Sequence, residues 1–327
     1  MKLQQLRYIW EVSRNDLNIS AAALALYTSQ PGVSKQIRLL EDELELEIFT
    51  RNGKHLTKVT PAGKQVLKLA GEILNKVDGI KKISRDHKSP TQGTLSIATT
   101  HTQARYFLPD VIKDFIRRYP DVTLNMVQGS TSQITQAVVE RDVDFTLITE
   151  EMEPRNDLVV LPCYRYSRVV LVPKGHPLSQ LAEVSLDHLA GYPLLTHVFN
   201  NADAAGVTTL GKAFEKRGLK PKIVFSAVNA DVIKAYVRAG LGVAVVSNLA
   251  YSDDKDSDLV SISVPHLFDS YLASLVVRKS SYLRGYMYDF IEGLAPHLTR
   301  QVVDEVMSLP SPEAQVEYFI NIDIPTY

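Results

Sequence analysis

One cysteine, Cys163, and one tryptophan, Trp10, are all that the 327 residues contain of either type. A single thiol excludes an internal disulfide and a cysteine-rich zinc cluster, and it is compatible with a reducing compartment. No apolar stretch reaches the roughly 18 residues of a membrane span. The opening run Met1-Lys2-Leu3-Gln4-Gln5-Leu6 lacks the uninterrupted apolar core of a secretion signal. A soluble, cytoplasmic protein with no membrane contact is expected. Glycine and proline, 16 of each, are at ordinary levels, which excludes a collagen-like, low-complexity or repeat-built chain. Net charge is nearly absent too, formally -1, but it is unevenly spread. Residues 1–88 carry 15 Lys and Arg against 10 Asp and Glu, whereas residues 89–327 carry 21 against 27. A basic front ahead of an acidic remainder suits a polyanion at one end only. The length calls for two or three domains.

Leu3, Leu6, Ile9 and Trp10 recur at helical spacing, and Ala21-Ala22-Ala23-Leu24-Ala25-Leu26 is a second short helical run behind a cap at Asn18 or Ser20. The turn Tyr27-Thr28-Ser29-Gln30-Pro31-Gly32 follows, with Ser29 able to cap a third helix and Pro31 tolerable in its first turn. In that helix Val33, Ile37, Leu40 and Leu44 form one apolar stripe, and Gln30, Ser34, Lys35 and Arg38 fall on the opposite side. A helix in the DNA major groove needs this division, because one face is held by its own domain while the other offers hydrogen bonds to base edges. Lys35 and Arg38 suit guanine acceptors or phosphates, and Gln30 suits adenine. Asn52-Gly53 is a hairpin signal, and the basic residues around it read as a wing whose Arg51, Lys54 and His55 lie along the sugar-phosphate backbone. A helical subdomain with a merely wetted polar face is the alternative. Helix pair, capped third helix and basic hairpin in that order favour DNA.

These residues carry a resemblance. The run from Leu6 through Ser20-Ala21-Ala22, Thr28-Ser29-Gln30-Pro31, Val33-Ser34-Lys35-Gln36-Ile37, Leu40-Glu41 and Ile48-Phe49 to Thr60-Pro61-Ala62-Gly63 is similar to the head of LysR-type transcriptional regulators. Gly53-Lys54-His55-Leu56-Thr57 and Thr99-Thr100-His101-Thr102-Gln103-Ala104-Arg105-Tyr106 further resemble the CysB/Cbl branch, regulators of cysteine and sulfur-assimilation genes with an alkanesulfonate-responsive sister. The resemblance implies an α/β protein with an N-terminal winged helix-turn-helix, a long linker helix and a two-subdomain effector domain like a periplasmic binding protein. It implies double-stranded promoter DNA, a second copy of the chain in a dimer or tetramer, and RNA polymerase as partners. The candidate DNA-binding residues are Thr28, Ser29, Gln30, Pro31, Ser34, Lys35, Arg38, Arg51, Lys54 and His55.

From Pro61 to about Arg85 one helix is expected, with Val66, Ala70, Ile73, Val77 and Ile80 as a seam spaced four, three, four, three. Such a seam would be wet on a lone helix, so pairing with a second copy is favoured over packing on the chain's own body. Residues 86–93 form a hinge. Beyond it strands are expected at 95–98, 122–127, 145–148, 169–172, 194–196, 222–225 and 243–246, alternating with helices at 107–119, 132–139, 210–217 and 230–239. Crossovers at 163–168 and 262–267 would divide this α/β body into two subdomains around a cleft. The expected divisions are 1–60, 61–88, 89–163 with 268–295, 164–267, and a tail 296–327 holding one helix and an extended end.

Thr99-Thr100-His101-Thr102-Gln103 leaves a strand and enters a helix, which makes it an anion site without a fixed cation. Ser130 and Thr131 at the next helix start, and Thr149 at a strand end, lie on the same edge. Each hydroxyl alone could simply cap a helix. In the resembling sensors, Thr100, Thr102, Gln103 and Thr149 belong to the pocket that holds sulfate or an acetylserine-type inducer. Such relatives place a threonine where this chain has Ala202, a contact that Asn200 or Asn201 could replace. The effector is therefore expected to be a small anion, sulfate or acetylserine-like, with no other cofactor and no metal. A solute-binding module does not fit the basic head, and an enzyme is not expected, since no nucleophile signature, phosphate loop or metal-spaced histidine pair occurs. The run of residues 253–258 lacks the glycine and closing glutamate of a calcium loop and reads as a solvated turn. Tyr286, Tyr288 and Phe290 read as the packed face of a helix.

Overall fold

A computed structural model describes residues 1–53, 55–150, 152–197 and 209–327, apart from the side chains of residues 82, 85–87 and 209. The chain divides into two compact units, Met1–Ser89 with Ser280–Arg284, and Pro90–Lys279 with Gly285–Tyr327.

The first unit begins with helices α1 (Leu3–Arg14), α2 (Ile19–Ala25) and α3 (Gln30–Leu44). Their inward stripes, among them Leu6, Ile9, Ala22, Val33, Ile37 and Leu40, meet in one core. Asn18 caps α2 through the amide of Ala21, and Ser29 caps α3 through the amide of Gly32. Strands β1 (Phe49–Asn52) and β2 (His55–Val59) pair in antiparallel register with Asn52 opposite His55. Gly53 therefore takes the first turn position, at φ +60°, rather than the second. Behind this wing Glu41, 8% exposed, accepts the amide hydrogens of Ile48 (2.9 Å) and Phe49 (3.1 Å) and an Arg51 guanidinium hydrogen. One carboxylate on α3 thus sets where the hairpin begins.

Helix α4 spans Pro61–Lys88 and is capped by Thr60, whose hydroxyl accepts the Gly63 amide (2.8 Å). At Gly63 a β-carbon would lie 2.1 Å from the Ile48 carbonyl oxygen, so only glycine allows the approach. The expected single seam is corrected here. Leu67, Ala70 and Leu74 are buried and Val66 packs on the head core, while Leu69, Ile73, Ile80 and Ile83 form an exposed stripe. The apolar positions serve two faces because α1 needs a partner too.

The second unit holds two lobes. In the first, β3 (Gly93–Thr99), β4 (Val122–Gln128) and β5 (Phe145–Ile148) are parallel, and β12 (Tyr271–Arg278) and β6 (Leu158–Tyr166) complete the order β4-β3-β5-β12-β6. Helices α5 (Leu108–Arg118), α6 (Thr131–Glu140) and α10 (Gly285–Leu294) belong to this lobe. In the second lobe, β8 (Leu194–His197), β9 (Ile223–Ala227) and β10 (Val243–Ser247) are parallel, β7 (Arg168–Pro173) runs antiparallel to β10, and β11 (Leu259–Ser263) runs antiparallel to β7, in the order β11-β7-β10-β8-β9. Its helices include α7 (Leu186–Ala190), α8 (Thr209–Lys216) and α9 (Ala230–Arg238).

Several expectations need correction. Cys163 lies inside β6 rather than in a crossover, and the passage between lobes narrows to Ser167. Pro162 obscured that strand, yet β6 is a sheet edge, where a missing amide hydrogen is tolerated. The second crossover likewise begins after β11, which contains Ile262, and β12 is a further strand of the first lobe beyond the expected set. The tail holds two helices, α11 (Arg300–Ser308) and α12 (Pro312–Phe319). The 253–258 turn is not simply solvated: Asp256 is 3% exposed and pairs with Lys234 (2.9 Å) and Arg238 (2.9 Å). Tyr286, Tyr288 and Phe290 are buried, as the helical face required.

Replacing Glu41 with alanine strands two buried amide hydrogens. Unfolding of the full chain in urea, followed by the fluorescence of Trp10 on α1, should show the Glu41→Ala head destabilised by about 1–3 kcal/mol. A parent-like midpoint would contradict this role.

Candidate functional site

The candidate DNA face comes together on α3. Gln30, Pro31, Ser34, Lys35, Arg38 and Leu39 line one shallow depression of about 390 Å³. Gln30, Lys35 and Arg38 are exposed and Ser34 is half-buried, and Thr28, Ser29 and Pro31 are exposed at the turn. Leu39, 44% exposed, is an apolar member of this face that the polar reading passed over. Arg51 departs from expectation, since its guanidinium is held by buried Glu41 rather than presented along the hairpin. His55 is exposed on β2. Lys54 lies outside the described residues.

The second face is a cavity of about 490 Å³ between the two lobes. The parallel strands β3, β4 and β5 end side by side, and β8, β9 and β10 do the same in the second lobe, so both sets of carboxyl ends supply its wall. After β3 the chain turns at Thr100 into helical backbone, where the Thr100 carbonyl accepts the Ala104 amide (3.1 Å), and a π-helical turn (Gln103–Phe107) runs on into α5. First-turn amides have no partner within their helix and point toward its positive end. Thr100, Thr102 and Gln103 line the cavity there, as do Ser130, Thr131 and Thr149.

Gln103 is fully buried. Its Oε1 accepts the Tyr164 hydroxyl hydrogen, and its Nε2 has no hydrogen-bond partner among the described residues. Ser130 also does what a bland reading of a helix-start serine expects. Its hydroxyl accepts the Gln133 amide (3.4 Å) while Gln133 Oε1 accepts the Ser130 amide (2.9 Å), a reciprocal cap on α6. Asn200, Asn201 and Ala202 lie outside the described residues.

An anion site without a fixed cation is not what the structure contains. Arg168, 5% exposed, lines the same cavity. Its Nε donates to the Tyr271 hydroxyl (2.7 Å), and its guanidinium carbon lies 5.0 Å from the Tyr271 ring centroid. Tyr166, Tyr271, His197 and Glu150 also line the cavity, outside the strand-end motifs, and His101 lines it from within the Thr99–Gln103 segment. The available signal was an arginine at the head of the apolar run Val169-Val170-Leu171-Val172. Burial pushes the Tyr166 hydroxyl up to about 12. Burial, aided by the Arg168 charge, brings His197 down to about 4. At neutral pH His197 is therefore uncharged and Arg168 supplies positive charge in the wall. On the first lobe, Arg105 (3.1 Å) and the Tyr106 hydroxyl (2.7 Å) donate to Asp231 of α9, tying the lobes together beside this cavity.

Residues 3–64 match the model of the bacterial regulatory helix-turn-helix proteins of the lysR family, and residues 88–299 match that of the LysR substrate binding domain. The chain is 47% identical to the HTH-type transcriptional regulator CysB of Haemophilus influenzae over the whole of both chains. It is 37% identical to the HTH-type transcriptional regulator cbl of Escherichia coli, over 98% of this chain and all of that one. The solved cofactor-binding domain of the Cbl transcriptional regulator superposes with a TM-score of 0.60 at 33% identity, covering 67% of this chain and 95% of that domain.

Because His197 is more easily protonated in the unfolded chain than in the fold, stability should fall as pH drops from about 6.5 toward 4. Urea midpoints of the parent across that window should decline more steeply than those of His197→Gln. Parallel curves would contradict a buried neutral His197.

Proposed function

The chain belongs to the LysR family of transcriptional regulators, in its CysB and Cbl branch, and from that premise we propose that it controls sulfur-assimilation and cysteine-biosynthesis genes in response to a small anion bound between its lobes. The reading is carried by one observation: a helix start with Thr100, Thr102 and Gln103 shares a cavity with the buried cation Arg168. Amide hydrogens, hydroxyls, a buried amide nitrogen and a guanidinium are all donors, and they suit an acceptor-rich anion such as sulfate or an acetylserine-type carboxylate. A cavity of about 490 Å³ also has the size of an organic-ligand site, which favours an anion attached to a larger body. Thr149, Ser130 and Thr131 are assigned supporting contacts, and Asn200 is retained as a candidate from the sequence alone.

Gln30, Ser34, Lys35 and Arg38 are assigned to the major groove of promoter DNA, with Thr28, Ser29 and Pro31 at the entry of the helix and Lys54 and His55 near the backbone. Arg51 is assigned to holding the wing. The exposed stripe Leu69, Ile73, Ile80 and Ile83 on α4 supports pairing with a second copy, which places two heads on one palindromic site. Pairing of dimers into a tetramer, contact with RNA polymerase and a cytoplasmic location belong to the same reading. No helix among the described residues is long and apolar enough to cross a membrane. The ligand can change DNA binding only if its affinity differs between two arrangements of the protein. The two-stranded crossover between the lobes gives such arrangements a hinge.

Two measurements separate the faces. Lys35→Ala or Arg38→Ala should weaken operator binding by about 1–3 kcal/mol in a mobility-shift titration and leave anion binding intact; unchanged operator affinity would remove α3 from the groove. Thr102→Ala should weaken calorimetric binding of sulfate or acetylserine by about 1 kcal/mol and keep operator binding in the absence of ligand. A parent protein that gives neither heat nor a melting shift with either anion would overturn the pocket assignment.

A further inference from the structure

The residues after α12 return to the passage between the lobes. Thr326 forms a parallel bridge with Arg165, the Arg165 amide donates to the Pro325 carbonyl (2.8 Å), and the Tyr327 amide donates to the Arg165 carbonyl (2.9 Å). This short stretch therefore covers the outer edge of β6 just before Ser167. Asn248, immediately beyond β10 in the second lobe, holds the same place from the other side. Its side-chain nitrogen donates to the Tyr327 carbonyl oxygen (2.8 Å), its Oδ1 accepts the Ser167 amide hydrogen (3.2 Å), and its own amide donates to the Ser167 carbonyl (3.0 Å).

The Tyr327 ring points the contact inward. It meets Phe107 edge-on at 5.3 Å and Tyr164 edge-on at 5.4 Å, and Tyr164 stacks on Phe107 at 3.9 Å. These are favourable aromatic geometries, and each pair restricts the rotamers of the others. Tyr164 in turn donates to Gln103 Oε1, which leaves Nε2 as the part of the buried amide that can give a hydrogen bond in the cavity. Released from its aromatic neighbours, Tyr164 would no longer fix which end of the Gln103 amide the cavity presents.

We propose that Tyr327 is a positioning residue of the effector pocket. Through Tyr164 it fixes the Gln103 amide as a donor, and through Asn248 it fastens that arrangement to the hinge at Ser167. Occupation of the pocket and movement at the hinge then act on the same three aromatic rings. The inference rests on the reading of the cavity as the effector site.

The test uses the full-length chain with Tyr327→Ala, Tyr327→Phe, Tyr164→Phe, Gln103→Ala and the Tyr327→Ala/Gln103→Ala double variant. Sulfate and acetylserine are titrated by calorimetry, and hydrogen exchange is followed without ligand. Tyr327→Ala should weaken anion binding about five- to tenfold, the worth of the lost ring contacts. Tyr327→Phe should bind like the parent, because the ring edge makes the contact. Tyr164→Phe, which keeps the packing and removes only the donor to Gln103, should weaken binding even where Tyr327→Ala lowers the melting temperature. In the Gln103→Ala background, Tyr327→Ala should add less than about twofold, the non-additivity of residues acting as a unit. Exchange in Tyr327→Ala should rise at residues 100–107 and 165–167 and stay as in the parent across α6. Parent-like affinity in Tyr327→Ala, an equal loss in Tyr327→Phe, or a full additional loss in the double variant would overturn the proposal. If the parent binds neither anion, the effector reading fails by itself, and exchange alone decides the coupling: faster exchange at 100–107 upholds it and unchanged exchange overturns it.

Discussion

An α-helix cannot bond its own first amide hydrogens, and this protein places such an end where two lobes meet. Parallel strands impose the location. β3, β4 and β5 run the same way, so the loops and helix starts that follow them collect on one edge. β8, β9 and β10 repeat the arrangement in the second lobe. The edges share a cavity, and Arg168, the residue that opens the second lobe, contributes its guanidinium to that wall. Its charge is held against Tyr271, while burial keeps His197 neutral at physiological pH. A donor-rich wall therefore follows from topology plus one arginine, with the Glu150 carboxylate also in the lining.

The head depends on a related economy of polar groups. Helix α3 must bury one face and offer the other, and its buried face includes a carboxylate as well as aliphatic side chains. Glu41 is tolerated there because three donors satisfy it. The same residue aligns the wing with α3, so the spacing between the exposed side chains of α3 and the hairpin is set from behind, by a buried carboxylate.

Much of this was legible in the sequence, for identifiable reasons. The stripe Val33, Ile37, Leu40 and Leu44 and the capping residues Asn18 and Ser29 are local signals, and the helices form where those signals lie. Thr100, Thr102, Gln103, Ser130, Thr131 and Thr149 could be grouped because strand ends in a parallel sheet share an edge, and all six line one cavity. What escaped was decided by tertiary partners. Arg51 looked like a phosphate contact because its neighbour Glu41 is ten residues away and buried. Arg168 and Tyr271 carried no motif, being 103 residues apart in the chain. β6 was hidden by Pro162, which only its edge position makes acceptable. The linker spacing suggests one stripe because nothing in it reveals that α1 claims part of the apolar surface.

A pocket at a hinge acts on DNA only through a coupling free energy, and such coupling is reciprocal. For the proposed anion to regulate DNA binding, it must favour one arrangement of the lobes and operator DNA must favour the same or the opposite one. The most direct measurement is the calorimetric affinity of the full-length protein for sulfate or acetylserine, taken with and without saturating operator DNA, beside operator affinity with and without the anion. Operator should change the anion's Kd by the same factor by which the anion changes the operator's Kd. An anion affinity that is indifferent to bound operator, in a protein that binds both, would contradict it.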